Sequence, residues 1–140
     1  MTLRRPMRTI EVCCGSVKKA LEAYGKGAAR IELCRALEVD GLTPNMEDVS
    51  YVLEKCPGMA VNVLIRPREG DFVCDKASLE EMERDIRSCK SLGVNGVVWG
   101  VLTPEGDVDM DACKRLMSAS AGMSVTFHRA FDRCRDPFAA

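Results

Sequence analysis

A short motif that carries a carboxylate and a thiol occurs twice near the start of the chain. Ile-Glu-Val-Cys at positions 10–13 recurs as Ile-Glu-Leu-Cys at positions 31–34. Because side chains alternate between the two faces of a strand, each copy predicts a strand with an apolar face and a face that carries Glu and Cys. Such a strand is not typical of a two-sided apolar core. If the two strands are parallel neighbours, one candidate site gathers Glu11, Cys13, Glu32 and Cys34.

Thiols at matching positions on adjacent strands, about 4.7–4.9 Å apart, are compatible with three states. They can bind a soft ion such as Cu(I), form a disulfide, or stay unreacted. The chain has eight cysteines and one histidine, and no Cys-x-x-Cys pair supports a structural zinc site. We expect reduced thiols rather than a disulfide framework, because most of these cysteines fall inside strand-like or helix-like segments and no secretory segment is recognisable.

A second group of polar residues follows the predicted third and fifth strands, at the end where sites lie in parallel α/β folds. By alternation, Arg66 and His128 can share a face with the two glutamates, and a charge-compensated cluster of this kind is a candidate active site. The histidine is a candidate general acid or base. The predicted catalytic residues are Glu11, Glu32, Arg66, His128 and Asp132, and the predicted ligand-binding residues are Arg68, Asp71 and Arg129.

The elements that must position these residues alternate between strand and helix. We predict strands at 9–13, 30–34, 60–65, 96–101 and 123–127, and helices after Ser16, after Thr43-Pro44, after Ser78 (with Glu81 as a capping box), after Asp109 and from Asp132. This order predicts βα units and a parallel sheet of the (β/α)₈ TIM-barrel type that ends after about five units. A doubly wound sheet also fits the alternation, but no Gly-x-Gly-x-x-Gly follows the first strand.

Composition narrows the class of partner. The chain has 140 residues, with 20 basic and 21 acidic side chains and a net charge of −1. No basic stripe indicates nucleic acid, and no apolar run reaches the roughly 18 residues of a membrane span. We expect a cytoplasmic protein, with a nuclear location also open. Residues 1–8 are predicted to form a tail and residues 9–140 a single domain.

Several stretches together carry a family resemblance: Glu11-Val12-Cys13, Arg30 to Cys34, Gly41-Leu42-Thr43-Pro44, Ile65-Arg66-Pro67-Arg68, Gly70-Asp71-Phe72 and Val125 to Asp132. In this order and spacing, the chain resembles the CutC copper homeostasis family. The resemblance implies a (β/α)₈ barrel, a link to copper tolerance and Cu(I) binding through Cys13 and Cys34. The chain departs from the family at two loop positions, with Asp40 in place of a glycine and Cys74 in place of an aromatic residue.

Two functions remain open. In the first, the thiols bind Cu(I) and the protein buffers or delivers copper. In the second, a barrel enzyme of unknown reaction acts on a small anionic metabolite that Arg66 and Arg68 clamp, while Glu11, Glu32 or His128 moves protons. A third alternative is a truncated form without catalysis. Family members run through eight units, so we expect open sheet edges here and self-association through them.

Overall fold

The computed structural model describes residues 10–128. Within them lie five β-strands and four α-helices: β1 (Glu11–Cys14), α1 (Val17–Gly25), β2 (Arg30–Leu33), α2 (Met46–Lys55), β3 (Ala60–Leu64), α3 (Lys76–Leu92), β4 (Gly96–Trp99), α4 (Met110–Ala119) and β5 (Ser124–Phe127). A short 3-10 turn (Leu37–Val39) lies between β2 and α2. The alternation predicted from the sequence is confirmed over this range, and the helix predicted from Asp132 lies outside the described residues.

The strands form one parallel sheet in the order β1-β2-β3-β4-β5. Each strand therefore pairs with the next strand in the chain, and every connection between them contains a helix. A doubly wound sheet would reverse its strand order at a switch point, where helices change from one face to the other. The unbroken order is that of a barrel wall, so the predicted (β/α) barrel type is confirmed.

The helices pack on one face of this wall, which we call the outer face. Its apolar side chains include Ile31, Val61, Val63 and Val97, and they form a single buried core with residues from all four helices. Trp99 belongs to this core, is 2% exposed, and its indole Nε1 donates to Ser120 Oγ at 3.3 Å. Burial of this face against helices fixes which residues of each strand point to the opposite side.

Three helices begin at side-chain caps. The predicted caps Ser16 and Asp109 are confirmed, since they accept hydrogen bonds from Lys19 N–H and Ala112 N–H. The predicted cap of α3, Ser78, is wrong: its own N–H donates to Asp75 Oδ1 at 2.8 Å, which makes Asp75 the cap. A cap accepts from the backbone two or three residues later, and Ser78 lies buried inside the first turn instead.

The opposite, inner face needs a glycine at its centre. A Cβ atom on Gly96 would lie 2.6 Å from Asn62 Oδ1 and 2.7 Å from Ser124 Oγ. Asn62 and Ser124 flank Gly96 in the strand register, so their side chains occupy the space that any larger residue would need. The absent side chain of Gly96 therefore allows the polar residues of neighbouring strands to sit side by side.

We expect Gly96→Ala to lower the free energy of unfolding by about 1–3 kcal/mol, the usual cost of overpacking. The matched control is Gly25→Ala, because a Cβ there meets nothing within 4 Å; it should leave stability unchanged or raise it by up to about 1 kcal/mol. Urea denaturation of both variants measures the difference. Equal stabilities for the two variants would contradict the close packing around Gly96.

Candidate functional site

The inner face carries the residues whose chemistry the sequence singled out. Strand alternation places Glu11 and Cys13 of β1 on it, together with Glu32 of β2 and Asn62 of β3. One row of the register runs across the whole sheet: Cys13, Glu32, Asn62, Gly96 and Ser124. The two repeated motifs are therefore neighbours, as the sequence suggested.

The two motifs are offset by two residues. Cys13 lies opposite Glu32, and Glu11 lies opposite Arg30, so the two thiols are not in register. Cys34 lies two residues beyond Glu32 on the same face, so its thiol is near enough to that of Cys13 for each to influence the pKa of the other. The Cys34 thiol also lies 3.7 Å from the carbonyl oxygen of Cys14. Cys13 is exposed and Cys34 is buried, which gives the pair one accessible and one enclosed sulfur atom.

Glu11 is held in place by two partners. Asn62 Nδ2 donates to Glu11 Oε1 at 2.9 Å, and Arg30 Nε lies 3.8 Å from Glu11 Oε2. Glu32 has neither kind of partner among residues 10–128. Burial and the nearby charge of Glu11 raise the pKa of the Glu32 carboxyl group, because both disfavour its charged form. The two carboxylates thus differ, one being fixed and ion-paired and the other being half-buried and easier to protonate.

The same environment keeps the thiols protonated. Burial, together with the charge of Glu32, raises the pKa of Cys13. Burial raises the pKa of Cys34 to about 12, with smaller contributions from Cys13, Glu32 and Cys14. A reactive thiol needs a lowered pKa, so neither cysteine is an activated nucleophile. We call Glu11, Cys13, Glu32 and Cys34 the carboxylate–thiol cluster.

An apolar layer covers this cluster toward the carboxyl ends of the strands. Leu64 and Val98 are register partners and pack against Cys34, and all three are at least 95% buried. Arg66 lies four residues beyond Asn62, just past the end of β3, and His128 lies four residues beyond Ser124, just past the end of β5. Four residues of strand span about 13 Å. The four predicted residues therefore share the inner face at two levels, with the glutamates in one group and Arg66 and His128 in the other, and their joint catalytic role stays a prediction.

Arg66 forms the second group by tying two loops together. Its Nη1 donates to the carbonyl oxygens of Val39 at 2.7 Å and Gly41 at 3.1 Å, and its Nη2 donates to that of Gly70 at 2.9 Å. The side chain is 93% buried, since only 7% is exposed. These bonds fix the guanidinium group rigidly where the β2–α2 and β3–α3 loops meet.

A cavity of about 350 Å³ opens beside this arginine. The Phe72 ring lies 4.9 Å from the His128 ring and 5.2 Å from the Arg66 guanidinium carbon. Burial and the charge of Arg66 lower the pKa of His128 to about 4, so the imidazole is neutral at pH 7. The lining also includes Arg68, Asp71, Cys74, Met82 and Gly100.

The remaining predicted site residues lie at the rim of this cavity or outside the structure. Arg68 pairs with Asp75 at 3.6 Å, and both side chains are exposed. Asp71 accepts a hydrogen bond from the N–H of Val73 within its own loop. Arg129 and Asp132 lie outside the described residues.

Sequence reasoning missed three contributors to the two groups. Arg30 and Asn62 hold Glu11, and Phe72 stands between Arg66 and His128. Alternation could have found Arg30, since it lies two residues before Glu32 and so on the same face. Phe72 was named only among the residues that carry the family resemblance. It lies in a loop, where no periodic pattern predicts the direction of a side chain.

The described residues offer a metal ion no more than two cysteine, histidine or carboxylate ligands at one place. All seven cysteines between residues 10 and 128 are free thiols. Over the same range no group of three or more His, Cys, Asp or Glu side chains is arranged to hold a metal ion. A soft monovalent ion that two sulfur atoms satisfy fits Cys13 and Cys34. No helix in the described part of the chain is long and apolar enough to cross a membrane.

Comparison with known proteins identifies the family of this chain. A model described as the CutC family matches residues 8–140. The chain belongs to the CutC family. Among solved structures it is similar to a copper homeostasis protein CutC of Streptococcus agalactiae, with a TM-score of 0.83 and 32% identity over 89% of this chain and 60% of that one.

Curated relatives show the same family and a difference in length. A family protein CutC of Parabacteroides distasonis is 44% identical over 133 residues, which cover 95% of this chain and 55% of the relative. One from Salmonella paratyphi B is 46% identical over 134 residues, which cover 96% and 54%. The chain thus spans about half the length of the curated relatives it matches.

We expect His128 to titrate with a midpoint near pH 4. Because its folded-state pKa is lowered from about 6.5, the unfolded chain takes up a proton first as the pH falls. Folding stability should therefore drop progressively from about pH 6.5 toward pH 4. The chain has one histidine, so its imidazole NMR signals report the midpoint directly.

The control is His128→Gln, which should remove this part of the pH dependence of stability. An imidazole midpoint near pH 6.5 in the folded protein would contradict the buried position of His128 beside Arg66.

Proposed function

We propose that this CutC family chain takes part in copper homeostasis by binding one Cu(I) ion between Cys13 and Cys34. The observation that carries the proposal is that neighbouring strands place the two thiols on the same inner face, where each influences the pKa of the other. Thiolate is the ligand class that selects Cu(I) over harder ions. The exposed Cys13 gives the ion a way in, and the buried Cys34 gives it a second sulfur shielded from water.

The family supports this proposal. The similar structure from Streptococcus agalactiae is described as that of a copper homeostasis protein. Free thiols at all seven described cysteines suit the reducing cytoplasm, where copper ions are held as Cu(I). We infer that the protein acts there as a carrier or buffer of the ion.

The neighbouring carboxylates set the strength of binding. Two neutral thiols that bind Cu(I) release two protons, so the complex carries one negative charge more than the free site. Glu11 and Glu32 oppose this added charge, as they already oppose ionisation of the thiols. The site is therefore weakened by its own surroundings at neutral pH, which suits release of copper to an acceptor better than permanent storage.

We expect anaerobic titration against a competing Cu(I) chelator to show one tightly bound ion per chain. Cys13→Ser and Cys34→Ser should each abolish binding, because one thiolate is not enough. Two protons leave per ion, so the apparent association constant should rise about 100-fold from pH 6 to pH 7. The matched control is Cys113→Ser, a half-buried thiol outside the cluster.

A variant without the Glu32 charge tests whether the carboxylates weaken Cu(I) binding. Glu32→Gln keeps the shape of the side chain and removes the opposing charge, so it should tighten Cu(I) binding at pH 7. Glu54→Gln, exposed on α2, is its control and should leave binding unchanged. Cu(I) binding that persists in both the Cys13→Ser and the Cys34→Ser variant would contradict the two-thiol site.

A second candidate function is enzymatic, on a small anionic metabolite. The observation that favours it is that Arg66 and His128 line one cavity. Glu32 lies about 13 Å away along the strands and Glu11 lies two residues further, so proton transfer there would fall to the neutral imidazole of His128. Arg68 and Asp71 lie at the rim, where they would meet the outer part of the ligand.

We also propose that two copies associate through the β1 edge. Among the described strands, β1 and β5 each have a neighbour on one side only. Val12 of β1 is 37% exposed, and Ile10 just before the strand is 76% exposed. Sedimentation velocity should show a concentration-dependent dimer. Val12→Lys should shift it toward monomer, since charged residues protect sheet edges, whereas Tyr51→Lys on α2 should not. A wild-type chain that stays monomeric at every concentration would contradict this edge contact.

A further inference from the structure

Arg66 is a buried cation to which the described residues offer no counter-charge. Its side chain is 93% buried, and among residues 10–128 no carboxylate forms an ion pair with it. Its three hydrogen bonds all go to neutral carbonyl oxygens. Charged groups are seldom buried without a partner of opposite sign, so Arg66 is suited to bind an anion that residues 10–128 do not supply.

One donor of this guanidinium group is also unused. The Nε atom of Arg66 is buried, and no acceptor within the described residues reaches it. Since Arg66 lines the cavity, a ligand oxygen there can accept from Nε. A carboxylate can accept from neighbouring guanidinium donors with both of its oxygens.

The other charges at the cavity fix the charge of the ligand. Arg68 already faces Asp75 at 3.6 Å, and Asp71 accepts from its own loop. Glu69 lies exposed at the rim. Arg68, Glu69 and Asp71 are all exposed, so water and salt screen their charges. Arg66 is the one buried charge among the described lining residues, which favours a ligand with one negative charge over a ligand with two.

The uncharged part of the cavity indicates the shape of the rest of the ligand. The rings of Phe72 and His128 are tilted by 46° with their centres 4.9 Å apart. Gly100 contributes no side chain to the opposite wall. Flat apolar groups pack well on aromatic faces, and a volume of about 350 Å³ is at the lower end for small-molecule sites.

We propose that this cavity binds a small monocarboxylate with a planar apolar body, its carboxylate on Arg66 and its body against Phe72 and His128. This inference rests on the second candidate function, for which it names the ligand class, and it is independent of copper binding at Cys13 and Cys34.

Benzoate is the probe, with benzamide as its neutral isostere and phenyl phosphate as its more highly charged analogue. NMR of the ¹⁵N-labelled protein at pH 7 observes the arginine Nε–H groups directly, so the unaltered chain carries the main test. Benzoate should shift the Arg66 Nε–H signal saturably. Benzamide and phenyl phosphate should bind at least ten times more weakly.

Two variants test the apolar wall of the cavity and the specificity of the Arg66 response. Phe72→Leu should weaken benzoate binding several-fold while the Arg66 signal still responds, because the apolar wall is lost but the cation remains. Arg87→Gln, an exposed arginine on α3, should leave the benzoate titration unchanged.

The outcomes distinguish the two proposals. An Arg66 response to phenyl phosphate but not to benzoate would overturn the monocarboxylate inference and leave the second candidate function standing. No response of this signal to either anion would overturn both. Equal binding of benzoate and benzamide would show that the cation does not select the ligand and would overturn the inference.

Discussion

The register of the parallel sheet is the constraint on which both polar groups depend. Apolar side chains such as Ile31 and Val61 must face the helices, and a slip of one residue would turn them inward and send Glu32 into the core. A slip of two residues, however, keeps every side chain on its face. The observed register places Cys13 opposite Glu32 rather than opposite Cys34. The offset lies in the repeated motifs and not in the strands themselves, which begin opposite each other at Glu11 and Arg30.

The two-residue offset between the motifs has a chemical consequence. It brings the Cys13 thiol between a carboxylate and a second thiol, so that burial and negative charge together keep both sulfur atoms protonated. An aligned register would have set carboxylate against carboxylate. The cluster is consequently suited to exchanging protons for a soft cation and is poorly suited to nucleophilic attack.

The apolar layer of Leu64 and Val98, which packs on Cys34, divides the inner face into two chemically different halves. Below it lie the thiols with two carboxylates. Above it lie a buried guanidinium group, a neutral imidazole and a phenyl ring. A cation and an anion therefore find separate places in one fold, and the two places share no ligating residue.

The sequence predicted the alternation of elements and the faces of the strands because both follow from local periodicity. It did not reveal the register, since shifts of two residues leave the hydrophobic pattern unchanged, and it placed the cap of α3 at Ser78 instead of Asp75. Nor could it show that Arg66 binds Val39, Gly41 and Gly70, because their backbone carbonyls carry no residue-specific pattern. One departure from the family now has a physical meaning: Asp40, which stands in place of a glycine, has a φ of 68°, in the left-handed region.

The central claim is that copper binds to the thiols below the apolar layer and not to the histidine above it. X-ray absorption spectroscopy at the copper edge of the Cu(I)-loaded protein tests this most directly, since it identifies the atoms around the ion. The account predicts two sulfur neighbours and no nitrogen. A nitrogen neighbour from the imidazole of His128 would contradict it.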